Sequence, residues 1–154
     1  MQSMTMLQLE KYFYPNIFIK ADPEFKAEKK EFSGKLDVKT KLNSLSTEER
    51  KWEVSLKIKT VPQDHPIPYQ FEFEVVGIFK VSPDFPEGEM EEIVRIAGSS
   101  MLYSAAREFL LLITSRGPFG GISLPTITFQ KKPKRVKNDK ARPKTGEGEL
   151  EKVQ

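Results

Sequence analysis

The sequence predicts an α+β fold, a four-stranded antiparallel sheet with helices packed on one face. Three observations predict it. Apolar and polar residues alternate at period two through most of the first half of the chain. The period changes to helical spacing after the segment SPDFPEGE. The strand-like stretches all precede the helical ones.

The N-terminal stretch, Thr5 to Ala21, reads as strand, but Leu7, Leu9, Tyr12, Tyr14, Ile17, Phe18 and Ile19 do not keep one phase, and Pro15 interrupts them. It is expected to be a bulged strand, or two short ones, at a sheet edge where proline is tolerated. From Phe32 the even positions Leu36, Val38, Thr40 and Leu42 form a dry face, with Lys35, Asp37, Lys39 and Lys41 between them. Trp52, Val54, Leu56 and Ile58 repeat the pattern against Lys51, Glu53, Ser55, Lys57 and Lys59. NSLSTEER between the two is a polar loop of hairpin length. VPQDHPIP, with three prolines, is an ordered crossing. A further strand runs from Ile67 to Val81. Its odd positions are apolar, and its even positions turn apolar at Val76 and Ile78, so its far half is expected to be covered on both faces.

Met90, Ile93, Val94 and Ile96 then recur at helical spacing, and Met101, Leu102, Ala105, Ala106, Phe109, Leu112 and Ile113 continue it. Ser99 or Ser100 is expected to cap a second helix, and Gly117 with Pro118 to end it. The longest unbroken apolar run, Phe109 to Ile113, is too short to span a bilayer, which argues against membrane insertion.

The chain has 154 residues, a net charge of +3 and no cysteine. One domain is expected over residues 1–130. Without cysteine there is no disulfide framework, thiol nucleophile or thiolate metal site, which fits a cytoplasmic location. The charge is uneven: residues 1–130 hold 16 Lys+Arg and 18 Asp+Glu, residues 131–154 hold 9 and 4. The C-terminal stretch is therefore read as a disordered basic tail. It offers nucleic acid no aromatic for base stacking, so nucleic-acid binding is the minor reading.

No constellation supports an enzyme, and no cofactor or metal is expected. RGPFGG follows a helix and lacks both the dinucleotide and the P-loop spacing, which leaves a helix stop and tight turn. His65 is the only histidine. The pairs Glu91–Glu92 and Glu72/Glu74 read as solvated charge. What stands out is aromatic load, 11 Phe and 4 Tyr. A sheet with one helical layer leaves its other face open. Val76, Ile78, Phe119 and Ile122 suggest more apolar surface than one monomer hides, the mark of an oligomer or a binding surface.

Gly77–Phe79, Ala106–Glu108, Ser115–Phe119 (Ser-Arg-Gly-Pro-Phe) and Leu124–Phe129 (Leu-Pro-Thr-Ile-Thr-Phe) resemble the pattern of the SecB family of protein-export chaperones over about residues 5–130. The resemblance implies a SecB-like sheet with helices on one face, a homotetramer built as a dimer of dimers, and binding of unfolded preproteins in apolar grooves without ATP. On it, Phe71, Phe73, Val76, Ile78, Phe119, Ile122 and Leu124 are the expected client-binding residues. Met101, Leu102, Ala105, Phe109 and Leu112 are the expected oligomer interface. Glu72 and Glu74 are the candidates for docking the motor ATPase SecA. There are two departures. Asn16 and Lys20 stand where motor-docking members are acidic, and KKPKRVKNDK stands where the family has a second apolar helix. These keep open a dedicated chaperone of a toxin–antitoxin system, binding an antitoxin tail, beside the export holdase.

Overall fold

The structure, a computed structural model, describes residues 6–26 and 34–130. The expected strand start at Phe32, the basic tail and the KKPKRVKNDK segment lie outside the described residues.

Four strands, β1 (Leu7–Ala21), β2 (Leu36–Ser46), β3 (Lys51–Thr60) and β4 (Tyr69–Val81), form one antiparallel sheet in the order β1-β4-β3-β2. β1 is a single edge strand. Its register against β4 slips between Leu9 and Lys11 and again between Phe13 and Asn16. Those two bulges, at Glu10 and at Tyr14–Pro15, are the physical reason its sequence loses phase. The β2–β3 connection is shorter than the polar loop suggested. β2 continues to Ser46, and the turn closes over Thr47–Arg50, where Arg50 adopts φ 54°. The Arg50 guanidinium then donates to the Phe85 carbonyl, tying this turn to the chain that enters the helix.

The register sorts the two faces of the sheet. Phe71, Phe73, Val75, Phe79 and Val81 of β4 share a face with Val54, Leu56 and Ile58 of β3, and all are essentially inaccessible. Each such burial contributes about 1.5–3 kcal/mol relative to exposure. A helical layer covers this face. Gly77 makes its close approach possible, because a Cβ there would lie 2.8 Å from both Leu102 Cδ2 and Phe79 Cε2.

The two expected helices are one continuous run from Glu87 to Thr114: a 3₁₀ turn, α1 (Met90–Ile93), a π turn (Val94–Gly98) and α2 (Ser99–Thr114). No serine caps α2. Gly98 before it is itself helical, Ser100 Oγ donates back to the Ile96 carbonyl at 2.8 Å, and Ser99 is buried with its Oγ 3.4 Å from Thr40 Oγ1. The joined run is 28 residues long and contains an 18-residue window of mean hydropathy 1.2, so by length and composition alone it could cross a membrane, which the reading from apolar runs did not anticipate. Its Leu102, Ala106 and Leu110 face is fully buried, as in a core helix.

After α2 the chain turns and runs back as an extended segment. The turn is held by Tyr69. Its hydroxyl lies 3.0 Å from the Gly120 carbonyl and 3.2 Å from the Thr114 carbonyl, and accepts the Phe119 N–H at 3.0 Å. Gly117 must be glycine here, because a Cβ would come within 2.5 Å of that hydroxyl. Gly120 takes φ +77°. The returning segment then follows one flank of α2. Ile122 N–H donates to Thr114 Oγ1, Arg107 Nε to Ser123 Oγ, and the Tyr103 hydroxyl to the Pro125 carbonyl.

Candidate functional site

Among the described residues no group of His, Cys, Asp and Glu could hold a metal ion. His65 lines a loop cavity at the crossing between β3 and β4, beside Asp64. The features that could bind anything large are surfaces, and they fall into three regions.

The first is the β1 side of the helical layer. Phe109 stacks on Tyr14, with ring centroids 4.6 Å apart, while Tyr12 and Ile17 stay about half exposed. On α2, Met101, Ala105 and Leu112 follow one another at helical spacing along this flank. Met101 and Leu112 are exposed and Ala105 is half-buried. Of the residues expected at an oligomer interface, these three form an open stripe and Phe109 borders it. Leu102 is fully buried against the sheet and presents no surface. Burial of Tyr14, with Tyr12 adding a smaller effect, pushes its hydroxyl pKa up to about 12.

The second region is the β2 side. Leu36, Val38 and Leu42 lie on the covered face of the other edge strand, half-buried against the core, with Trp52 next to them on β3. The edge of β2 has no neighbouring strand among the described residues, so its backbone groups are open to pairing.

The third is the open face of the sheet. Phe13, Val76 and Ile78 form an apolar patch across β1 and β4, and Phe18 lies apart from it, opposite Glu72 and beyond the Asn16–Glu74 pair. Val76 is nearly inaccessible and Ile78 half-buried, while Phe13 and Phe18 are about half exposed. The β2–β3 half carries lysines. Glu72 pairs with Lys57 at 2.9 Å, and Glu74 accepts a hydrogen bond from Ser55 Oγ at 2.6 Å. The Lys57 hydrogen bond and charge hold the Glu72 carboxyl below its ordinary range, and the same contact raises Lys57.

The residues expected to bind clients are therefore scattered. Phe71, Phe73 and Leu124 are core residues at 1% exposure or less, and Ile122 is buried with them. Phe71 and Phe73 stack on each other with centroids 5.3 Å apart. Phe119 is half-buried, edge-on to Phe25 at 5.0 Å and to Tyr69 at 5.8 Å, where it closes the glycine turn. Sequence reasoning missed Tyr12, Phe13, Ile17 and Phe18. Their signal was the broken phase of β1, which puts aromatic and aliphatic side chains on both faces.

The family model of preprotein translocase subunit SecB matches residues 4–134. The chain belongs to the SecB family. No curated protein matches it by sequence. Among solved structures, it resembles the Mycobacterium tuberculosis Rv1957 SecB-like chaperone in complex with a ChAD peptide from the Rv1956 HigA1 antitoxin. The TM-score is 0.62 at 14% identity, covering 82% of this chain and 94% of that one. At that identity the likeness is one of fold. A protein of unknown function from Streptococcus agalactiae aligns with a TM-score of 0.44 at 12% identity, over 78% of this chain and 97% of that one. The four-stranded sheet with one helical layer is thus the SecB-like fold, as the sequence predicted.

Proposed function

We propose that this SecB-family chain is an ATP-independent holdase that binds non-native polypeptides on its apolar surfaces and performs no chemical step. One observation carries the reading. Among the described residues, nine of the ten large apolar residues left exposed (Met6, Tyr12, Phe13, Ile17, Phe18, Met101, Leu111, Leu112 and Ile113) lie on β1, on α2 or just before β1. Apolar surface concentrated in this way marks an association site. Burial on apolar surface demands no particular sequence, which suits varied clients at the smaller apolar row beside the edge of β2.

The β1 and α2 region, with the Met101, Ala105 and Leu112 stripe at its centre, is the self-association surface of a homotetrameric dimer of dimers. The Leu36, Val38 and Leu42 row beside Trp52 is the client surface. There an extended client gains both apolar burial and backbone pairing along the edge of β2. The protein works in the cytoplasm, and its clients are preproteins on their way to export or the tail of an antitoxin. The second reading is favoured by the state of Glu72 and Glu74. Lys57 and Ser55 already engage them, which leaves a basic motor segment such as one of SecA little to bind.

The test is light scattering of a model protein refolding from denaturant, without nucleotide. Suppressed aggregation at near-stoichiometric ratios, reduced in Val38→Asp and Leu42→Asp chains that still fold, is the expected result. No suppression by the folded wild-type oligomer would rule out a general holdase and leave a single-client chaperone.

A further inference from the structure

The open face of the sheet sets like charges directly against one another. Lys39 lies opposite Lys57 across β2 and β3, and Lys51 opposite Lys80 across β3 and β4. Opposed like charges destabilise an antiparallel pair, and a folded monomer gains nothing from them. Around the first pair lies a depression of about 320 Å³ lined by Lys39, Lys41, Lys57 and Lys59, with Ser55, Asp37 and Glu74 between them. Four lysines face three carboxylates, and all three are occupied: Glu72, at the margin of the depression, pairs with Lys57 at 2.9 Å. Asp37 lies 3.7 Å from Lys39 and 4.0 Å from Lys59, and Glu74 takes the Ser55 hydroxyl. Lys41 has no carboxylate within 4.0 Å among the described residues.

We propose that this depression docks an acidic, extended segment of a partner protein, with carboxylates at alternate positions. Lysines two apart on one strand, Lys39 and Lys41 or Lys57 and Lys59, stand about 6.6 Å apart along it. Alternate side chains of an extended peptide have the same spacing, so each carboxylate meets an ammonium. Two other occupants fit less well. The chain's own residues 131–154 place glutamates alternately at Glu147, Glu149 and Glu151, but within a stretch of 9 Lys+Arg against 4 Asp+Glu whose net charge opposes its approach. Nucleic acid would find no aromatic side chain lining the depression to stack a base. Its phosphates would also face Asp37 and Glu74. The docking face lies across the sheet from the Leu36, Val38 and Leu42 row, so an acidic partner and an apolar client could be held at once, and the proposal stands whether or not the chain is a holdase.

The experiment is fluorescence anisotropy of a labelled peptide alternating glutamate and serine, titrated with the full chain. A labelled oligothymidine of equal charge runs beside it. Saturable peptide binding is expected, weakening as salt rises from about 50 to about 300 mM. The Lys39→Glu/Lys41→Glu chain should bind at least about tenfold more weakly. Its melting temperature should change little, because a carboxylate at position 39 gains an attraction to Lys57 and loses the exposed pair with Asp37. If the double variant fails to fold, Lys41→Gln is measured in its place and should still lose affinity. Absence of peptide binding at low salt, undiminished binding by these variants, or tighter binding of the oligothymidine through the same lysines would overturn the proposal. Peptide binding with normal suppression of aggregation in the double variant separates this site from the client surface.

Discussion

The two faces of the sheet are built from the same strands by opposite rules. On the covered face, β3 and β4 carry aromatic and branched side chains that reach essentially zero exposure against α2. On the open face the alternate residues of those strands carry Lys51, Glu53, Ser55, Lys57, Lys59, Glu72 and Glu74. The difference is one of tolerance. A close-packed face resists every change of volume. A wet face can change its charge while the fold stays intact, so partner choice can be written there.

Phe73→Ala should show that contrast most strongly. It removes a fully buried ring and should cost about 3–5 kcal/mol in chemical denaturation. Phe18→Ala on the other face should stay within about 0.5 kcal/mol. Equal losses would mean that the open face is packed in the folded protein. Gly77→Ala should follow at about 1–3 kcal/mol, since its methyl meets Leu102 and Phe79 at 2.8 Å. Tyr69→Phe tests whether the turn after α2 depends on that hydroxyl. Loss of its contacts to Gly120, Thr114 and Phe119 should cost about 1–3 kcal/mol, with earlier hydrogen exchange at the Phe119 amide.

Alkaline pH separates the faces by titration. Because Tyr14 keeps its proton to about pH 12 in the folded chain, against 10.0 ordinarily, the unfolded chain releases that proton first. Stability from this group is therefore full below pH 10 and is lost as pH rises toward 12. Tyr14→Phe should make the fall in melting temperature across that range shallower. The lysines paired on the open face, raised by their carboxylates, account for part of the fall that remains. The smallest effect is expected at Glu72→Gln. It breaks an exposed ion pair and should leave the melting temperature where it was.

The sheet and its order of elements were legible because β2, β3 and β4 each keep one phase over many residues. The helix was legible as two pieces rather than one. The π turn at Val94–Gly98 shifts the phase of the apolar stripe, and Ser99 and Ser100 look like caps to anyone reading the chain in isolation. The site was legible only in part. Phe71 and Phe73 are two of the four aromatic residues of β4, and aromatic content alone cannot say which face of a sheet a helix will cover. Met101 and Leu112 lie exposed along one side of α2, as helical spacing, which specifies an angle, implies. Phe13 and Phe18 were missed because a bulge moves residues to a face that alternation does not predict.

Those bulges also bear on how this chain can change length over its history. Deleting Pro15 would leave Phe13 opposite Val76 and Asn16 opposite Glu74, with Tyr14 alone facing Val75 and still beneath Phe109. Deleting Glu10 would likewise keep Leu9 opposite Phe79 and Lys11 opposite Ile78, at the loss of its ion pair with Lys51. A deletion elsewhere in β1 would turn every residue on one side of it to the wrong face. Insertions and deletions among relatives should therefore gather at these two points, the expansion joints of an edge strand whose partners on both faces must stay in place.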